Sequence, residues 1–202
     1  MAATSLDLRD LEGVADAYPL APKAAAKAAQ LALNSAARRA RTLGSAAIRQ
    51  QVALSAGYVN DNLKVRTFAT STDLSTRIAA NPRAVLLTRY GAKIRTVKAS
   101  SRRGLKGDPA RGIAAGRKAA GVKGVRVKTG SGAKRIEGAF WVRLAGSGQW
   151  APAERTGDGR SDYRVMHGPS VYQVWSDVRG TVAPQVMQHA ADEFIRQFDR
   201  LS

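Results

Sequence analysis

A chain of 202 residues with a formal net charge of +18 suits one domain, or one domain with an arm. Such a charge predicts an anionic partner, and nucleic acid, an acidic protein surface and anionic lipid are the three candidates. The chain has no cysteine, which excludes disulfides and thiolate metal sites, and its aromatic content of 6% predicts a thin core.

The beginning of the chain is predicted to be helical. The start "MAATSLDLRDLEG" lacks the basic residues and apolar run of a secretory signal. No apolar run approaches the length of about 18 residues that a membrane span needs, so we expect a soluble protein made in a cytoplasm. Apolar residues between Leu8 and Tyr18 recur at helical spacing and predict a short amphipathic helix.

An Ala-rich segment extends the helical region to about residue 66. The stretch "KAAAKAAQLALNSAARRARTL" consists of strong helix formers and predicts a helix from about Pro22. We expect Gly44 to end that helix and a further helix to follow, capped by Ser45 and stopped by Gly57. The Ala-rich face would let another helix approach closely, within this chain or from a neighbouring subunit.

Residues 74–155 are predicted to form an antiparallel sheet. The segments "LSTRIAA" and "RAVLLTRY" are separated by an Asn-Pro turn signal. The segments "GVRVK", "GAFWVRL" and "QWAPAER" follow, with Gly/Ser loops between them, and predict a three-stranded meander. "RTGDGRSD" is predicted to be a polar loop.

The C-terminal region, residues 170–202, is predicted to be helical. Ser170 can cap a helix that carries apolar residues on one face, and we expect Gly180 and Pro184 to kink or divide it. The order of helices, strands and helices indicates a single α+β domain over residues 1–202, with the helices packed on the sheet.

No catalytic constellation is evident. The two histidines, His167 and His189, are far apart and have no local acidic pattern, so they do not predict a metal site, and loop, cap or packing roles are favoured for them. The "GSG" turns lack the Gly-Lys-Ser/Thr ending of a phosphate-binding loop. We therefore expect neither an enzyme nor a cofactor.

A long basic loop is predicted at residues 99–123. Between Gly91 and Arg135 there are fourteen Lys or Arg residues and one acidic residue, Asp108. One interpretation is a solvated, disordered loop that only aids solubility. The other is a mobile arm that contacts phosphates or an acidic protein without base specificity, since no aromatic residue interleaves the charges. The residues expected to make electrostatic contact are Arg102, Arg103, Lys106, Arg111, Arg117, Lys118 and Lys123.

The stretch "RIEGAFWVRLAGSGQWAPAERTG", followed by "GPSV", resembles the minor tail protein Z family of lambdoid phages and prophages. The sharpest matches are Ile136, Gly138, Ala139 and Phe140, and the resemblance covers about residues 8–200. It implies a non-enzymatic virion component that completes the head-proximal end of the tail as a ring, commonly a hexamer. The implied partners are the tail terminator and the head-tail connector. If the basic loops face the channel of the ring, they would contact the genomic DNA or the tape-measure protein there. The alternative is an outward-facing arm that contacts an acidic surface of the connector or the tail tube.

Aromatic residues and one arginine are candidates for contacts between subunits. Trp150 lies next to a turn and is the best candidate, with Trp141 and Arg155 beside it, whereas Trp175 lies on an apolar helical stripe and is expected in the core. The alternative function is a free nucleic-acid-binding protein of ribosomal or nucleoid type, which the charge alone would favour.

Overall fold

A computed structural model of the chain describes residues 21–100 and 106–202. The helix predicted between Leu8 and Tyr18 lies outside these residues. The described chain is α+β, as predicted. Its contacts divide it into two compact units, which are described separately below. The single domain predicted for residues 1–202 stays a prediction.

The helical unit contains residues 21–51, 55–83 and 170–202. Its helices are α1 (Pro22–Gln51), α2 (Ala56–Asn62) and α3 (Val171–Leu201). Strands β1 (Leu63–Thr67) and β2 (Arg77–Ala80) pair antiparallel in the same unit. The long helices α1 and α3 pack against each other along their lengths, with the two strands beside them.

The interface of α1 and α3 is built on alanine. Nine apolar residues of α1 are fully buried, and seven of them are alanines: Ala25, Ala28, Ala29, Ala32, Leu33, Ala36, Ala37, Ala40 and Ile48. Phe194 of α3 packs on this alanine surface, and Leu74 and Phe198 border it. Small side chains let the two helix backbones approach closely, which is how a chain with few aromatic residues still forms a core.

Gly44 lies inside α1 and does not end it, so the predicted break at this residue is wrong. A Cβ atom at Gly44 would lie 2.5 Å from a ring carbon of Trp175, which is fully buried. The glycine therefore admits the indole ring to the helix surface. The predicted cap, Ser45, is a buried interior residue of the same helix.

The start of α3 follows the prediction, whereas its predicted division does not occur. Ser170 accepts a hydrogen bond from Gln173 N at 3.1 Å, and the Gln173 side chain accepts one from Ser170 N at 2.8 Å. The two bonds form a capping box. Pro184 lies within the helix, which continues from Val171 to Leu201. Packing of buried valines on both sides of the proline, Val182 and Val186, outweighs its local preference.

The strand-rich unit contains residues 52–54, 84–100 and 106–169. Its strands are β3 (Val85–Leu86), β4 (Lys93–Lys98), β5 (Arg117–Val125), β6 (Lys134–Ile136), β7 (Phe140–Arg143), β8 (Trp150–Arg155), β9 (Tyr163–Val165) and β10 (His167–Gly168). They form a β3–β10 pair and two three-stranded antiparallel sheets, β4–β5–β6 and β7–β8–β9.

The predicted three-stranded meander is therefore divided between two sheets. β7 and β8 pair as expected, but the third strand beside β8 is β9, which begins where the predicted polar loop ends. The segment "GVRVK" instead overlaps the end of β5 in the other sheet. The predicted strand at residues 83–90 is short, because β3 passes into a 3-10 helix at Leu87–Tyr90.

Candidate basic hairpin

Part of the predicted basic loop belongs to a β-hairpin made by β4 and β5. The loop was predicted to extend to residue 123, but β5 begins at Arg117, and its residues from Arg117 to Lys123 pair with β4. The prediction failed because this stretch has few large side chains. Its backbone hydrogen bonds and two apolar residues are sufficient to order it: Val122 is fully buried and is paired with Ile94.

The hairpin places like charges opposite one another. Lys93 lies directly across from Lys123, and Lys98 lies across from Arg117. All four side chains are exposed. Directly opposed like charges destabilise an antiparallel pair, so this arrangement works against the stability of the isolated hairpin. An anionic partner would remove the repulsion.

A bulge interrupts the hairpin between the two charged pairs. Ile94 and Thr96 on β4 lie opposite Val122 and Ala119, so β5 has one additional residue at this point. Arg95 donates a hydrogen bond to Ala120 O at 3.1 Å beside the bulge. A bulge increases the local twist of the strands, and the Arg95 guanidinium stabilises its exposed carbonyl.

Hydrogen bonds hold one of the predicted contact residues against the hairpin. The Arg117 guanidinium donates to Thr96 Oγ1 at 2.7 Å and to the Thr96 carbonyl at 2.9 Å. Lys118 lies across from Val97, and its ammonium is 3.4 Å from Ser100 Oγ, to which it donates. The positive charges on β5 are thus carried by an ordered backbone.

Two glycines fix the base of the hairpin. Gly91 and Gly124 both have left-handed backbone conformations, with φ of 81° and 80°. A Cβ on Gly91 would lie 3.1 Å from the Gly124 carbonyl oxygen, and a Cβ on Gly124 would lie 3.0 Å from the Gly91 oxygen. The backbones can come this close only without side chains. The charged pair Lys93 and Lys123 lies directly above this contact in the chain.

One predicted contact residue, Arg111, is engaged within the unit. Asp108 caps a short 3-10 helix, Pro109–Arg111, and accepts a hydrogen bond from Arg111 Nε at 2.6 Å. The Arg111 guanidinium lowers the pKa of the Asp108 carboxyl. Arg111 also lies over the Trp150 ring at 5.3 Å from its centre. The structure therefore brings a predicted electrostatic residue and a predicted interface residue together in one ordered cluster, where Arg111 is partly neutralised.

The other two predicted interface residues lie on β7 and β8. The Arg155 guanidinium lies over the Phe140 ring at 4.7 Å and donates to the carbonyls of Gly159 and Arg160 at 2.9 and 3.0 Å. Trp141 is half-buried, and its indole nitrogen is enclosed without a hydrogen-bond acceptor in the described chain. Contacts of these residues with another subunit stay a prediction.

The remaining predicted contact residues divide into two groups. Arg102 and Arg103 lie outside the described residues, and Lys106 is exposed in the turn region after them. Sequence reasoning did not select Lys93 and Lys98, although they form like-charged pairs with β5. They were among the fourteen cations counted between Gly91 and Arg135, but only the strand register shows that they face β5.

The histidines and acidic residues offer no metal centre within the described chain. His189 Nε2 is 2.9 Å from Ser35 Oγ, and His167 Nδ1 is 2.9 Å from the Val165 carbonyl oxygen, so both have local structural contacts. No group of three or more potential ligands is found among residues 21–100 and 106–202. In the same residues, no helix is both long enough and apolar enough to cross a membrane.

The α+β fold carries an ordered hairpin with opposed positive charges, so the main chemical feature of the strand-rich unit is a basic surface. Comparison with family models assigns the class. The model for prophage minor tail protein Z matches residues 12–200. The chain belongs to that family and is a structural protein of a phage tail. No curated protein and no solved structure matches the chain.

Proposed function

We propose that this tail protein forms a ring, most simply a hexamer, at the head-proximal end of the tail and aids head-tail joining. The family match over nearly the whole chain supports a role in the tail, and it favours this function over a free nucleic-acid-binding protein. The observation that carries the more specific proposal is the pairing of Lys93 with Lys123 and of Lys98 with Arg117.

The basic hairpin is the contact surface for an anionic partner. Its lysines are exposed, and the described part of the hairpin has no carboxylate on β4 or β5 to neutralise them. A ring repeats this surface once per subunit around a common axis, so the positive potentials of the copies add. The genomic DNA or the tape-measure protein in the channel, or an acidic face of the tail terminator, tail tube or head-tail connector, would be attracted to it.

The test neutralises the hairpin in an otherwise intact phage. In the variant Lys93→Gln, Lys118→Gln and Lys123→Gln, three exposed charges are removed while side-chain length is nearly kept. We expect free tails and unjoined heads to accumulate, and infectious yield to fall at least about tenfold, because electrostatic complementarity governs association rates. Electron micrographs of lysates give the fraction of joined particles.

A matched control removes three exposed cations from the helical unit. Lys23, Arg77 and Arg83 replaced by glutamine change the net charge equally, and we expect normal joining. Thermal unfolding of both purified variants checks that folding is retained. Normal yield from the hairpin variant, with the protein incorporated into tails, would refute an electrostatic role for the hairpin.

A further inference from the structure

A cationic groove lies on the helical unit, away from the basic hairpin in sequence. Its volume is about 470 Å³, and it is lined by Arg38, Arg41, Thr42, Lys64, Val65 and Phe68. Three of these six residues are positively charged and none is acidic. The groove therefore combines a positive potential with an apolar floor, which suits an anionic group next to a hydrophobic side chain.

Local contacts hold the groove in shape. Arg41 donates hydrogen bonds to the carbonyls of Leu63 and Asn60, both at 3.0 Å, and so ties α1 to the beginning of β1. The Arg38 guanidinium lies 5.4 Å from the centre of the Phe68 ring, which leaves the ring 42% exposed. Arg38 and Lys64 are themselves exposed. They can contact a partner, whereas Arg41 has a structural role.

A surface of matching chemistry lies near the end of α3. Gln188, Asp192, Ile195 and Asp199 are spaced three or four residues apart, so they form one stripe on the helix, and all four are exposed. Ile195 is 58% exposed. Asp192 and Asp199 lie about 10 Å apart along the helix, given a rise of about 1.5 Å per residue, with the isoleucine between them. The stripe thus has an acidic residue on each side of an exposed apolar one.

The neighbouring charges of α3 leave the stripe acidic. Arg196 donates hydrogen bonds to both oxygens of Glu193, at 2.9 and 2.6 Å, so these two residues neutralise each other beside the stripe. Asp192 accepts a hydrogen bond from Gln188 Nε2 at 2.8 Å, which orients its carboxylate along the stripe.

We propose that the acidic stripe of one copy docks in the cationic groove of a second copy. Among the described residues, four large hydrophobic side chains are exposed, and two of them, Phe68 and Ile195, belong to these complementary surfaces. Asp192 and Asp199 pair with Arg38 and Lys64, and Ile195 covers Phe68. This inference rests on the proposed ring and identifies the residues that form it.

In the proposed ring this contact is heterologous. Each copy uses its groove for one neighbour and its stripe for the next, which generates a ring when the rotation closes and a filament when it does not. A nucleic acid would be attracted to the groove charges too, but it would leave Ile195 without a role. The presence of both complementary surfaces on one chain favours a second copy.

Two charge-reversal variants of the full-length protein test the contact. The groove variant carries Arg38→Glu and Lys64→Glu, and the stripe variant carries Asp192→Lys and Asp199→Lys. Each alone opposes like charges at every contact, so we expect its subunit dissociation constant to rise at least about tenfold. The oligomeric state is measured by native mass spectrometry and sedimentation, on the purified protein and after addition of isolated tails.

Mixing the two variants provides the sharpest outcome. In an alternating ring, the intact groove of the stripe variant meets the intact stripe of the groove variant, and the two reversed surfaces meet each other with opposite charges. We expect the mixture to assemble, with equal amounts of both variants. Lys23→Glu together with Arg83→Glu is the control, and it should assemble normally because both residues lie outside the groove.

The possible results separate the two proposals. A wild-type protein that stays monomeric both alone and on tails would overturn the ring itself. A ring that forms in the wild type, and also in each charge-reversed variant, would overturn only this contact. A photo-reactive side chain at Phe68 should cross-link to residues 192–199 of a differently isotope-labelled copy. Cross-links to residues 1–20 or to nucleic acid instead would also overturn the assigned contact.

Discussion

The helical unit and the strand-rich unit differ in how packing and charge affect their stability. The long helices α1 and α3 pack alanines against Phe194 and a glycine against Trp175, so their stability depends on close packing of small residues. The β4–β5 hairpin has few buried side chains and places lysines and arginines opposite each other. Close packing stabilises the helical unit. In the hairpin, repulsion between like charges is locally destabilising, and an anionic partner can relieve it.

Substitutions of two glycines in the long helices test the role of close packing in the helical unit, and here we expect the largest change in stability. Gly44→Ala forces a Cβ to within 2.5 Å of the Trp175 ring, and it should destabilise the protein by about 1–3 kcal/mol through overpacking. Gly180→Ala is the control, because nothing lies within 4 Å of its added Cβ. It should stabilise the protein by up to about 1 kcal/mol through helix propensity. Chemical denaturation of both variants measures the difference, and equal effects would refute the packing role of Gly44.

The pH dependence of the helical unit provides a second, smaller effect. Hydrogen bonds from Arg196 and then Gln197 lower the pKa of Glu193 from 4.5 to about 2. Since the folded-state pKa is below the unfolded one, this contribution to stability is present above about pH 5 and is lost as the pH falls towards 2. At pH 7, Glu193→Gln should therefore have a free energy of unfolding about 0.5–1 kcal/mol below that of the wild type. This difference is measured as a lower Tm.

The same pair of proteins provides the check on that explanation. The difference in Tm should narrow between pH 5 and pH 2, as the wild-type carboxylate is protonated. A difference that stays constant across this range would show that the ionised form of Glu193 contributes nothing, and that the substitution acts through packing alone.

Removing one charge from the like-charged hairpin should stabilise the protein, and this is the smallest of the expected changes in stability. Lys123→Thr removes the repulsion from Lys93 and introduces a residue that favours strands, so it should stabilise the isolated protein by about 0.2–1 kcal/mol at low salt. The gain should shrink in about 1 M salt, where charges are screened beyond about 3 Å. Thermal unfolding at two salt concentrations measures it. Destabilisation at low salt would contradict the charge conflict assigned to this pair.

Local signals in the sequence were enough to predict part of the fold. The helix cap at Ser170 and the strands β7 and β8 depend on neighbouring residues, and both were correctly predicted. The predicted breaks at Gly44 and Pro184 failed because contacts with distant residues override local preference there. The distribution of strands between two sheets was also missed, since alternation within a strand does not specify its partner.

The candidate site was predicted in composition but not in arrangement. The excess of cations between Gly91 and Arg135 is evident in the sequence, and the β4–β5 hairpin lies within this region. The opposed pairs depend on the register of β4 and β5, and the neutralisation of Arg111 depends on Asp108 and Trp150. None of these relations follows from residue spacing.

The close contact of Gly91 with Gly124 has a thermodynamic consequence for recognition. Because the lysines rise from a paired backbone that is held at its base, they are already in position before any partner arrives. Charges presented in this way lose little conformational entropy on binding, whereas charges on a flexible tether lose more. Substitution of either glycine should thus weaken association, because the lysines would lose more conformational entropy on binding, even though neither glycine carries a charge.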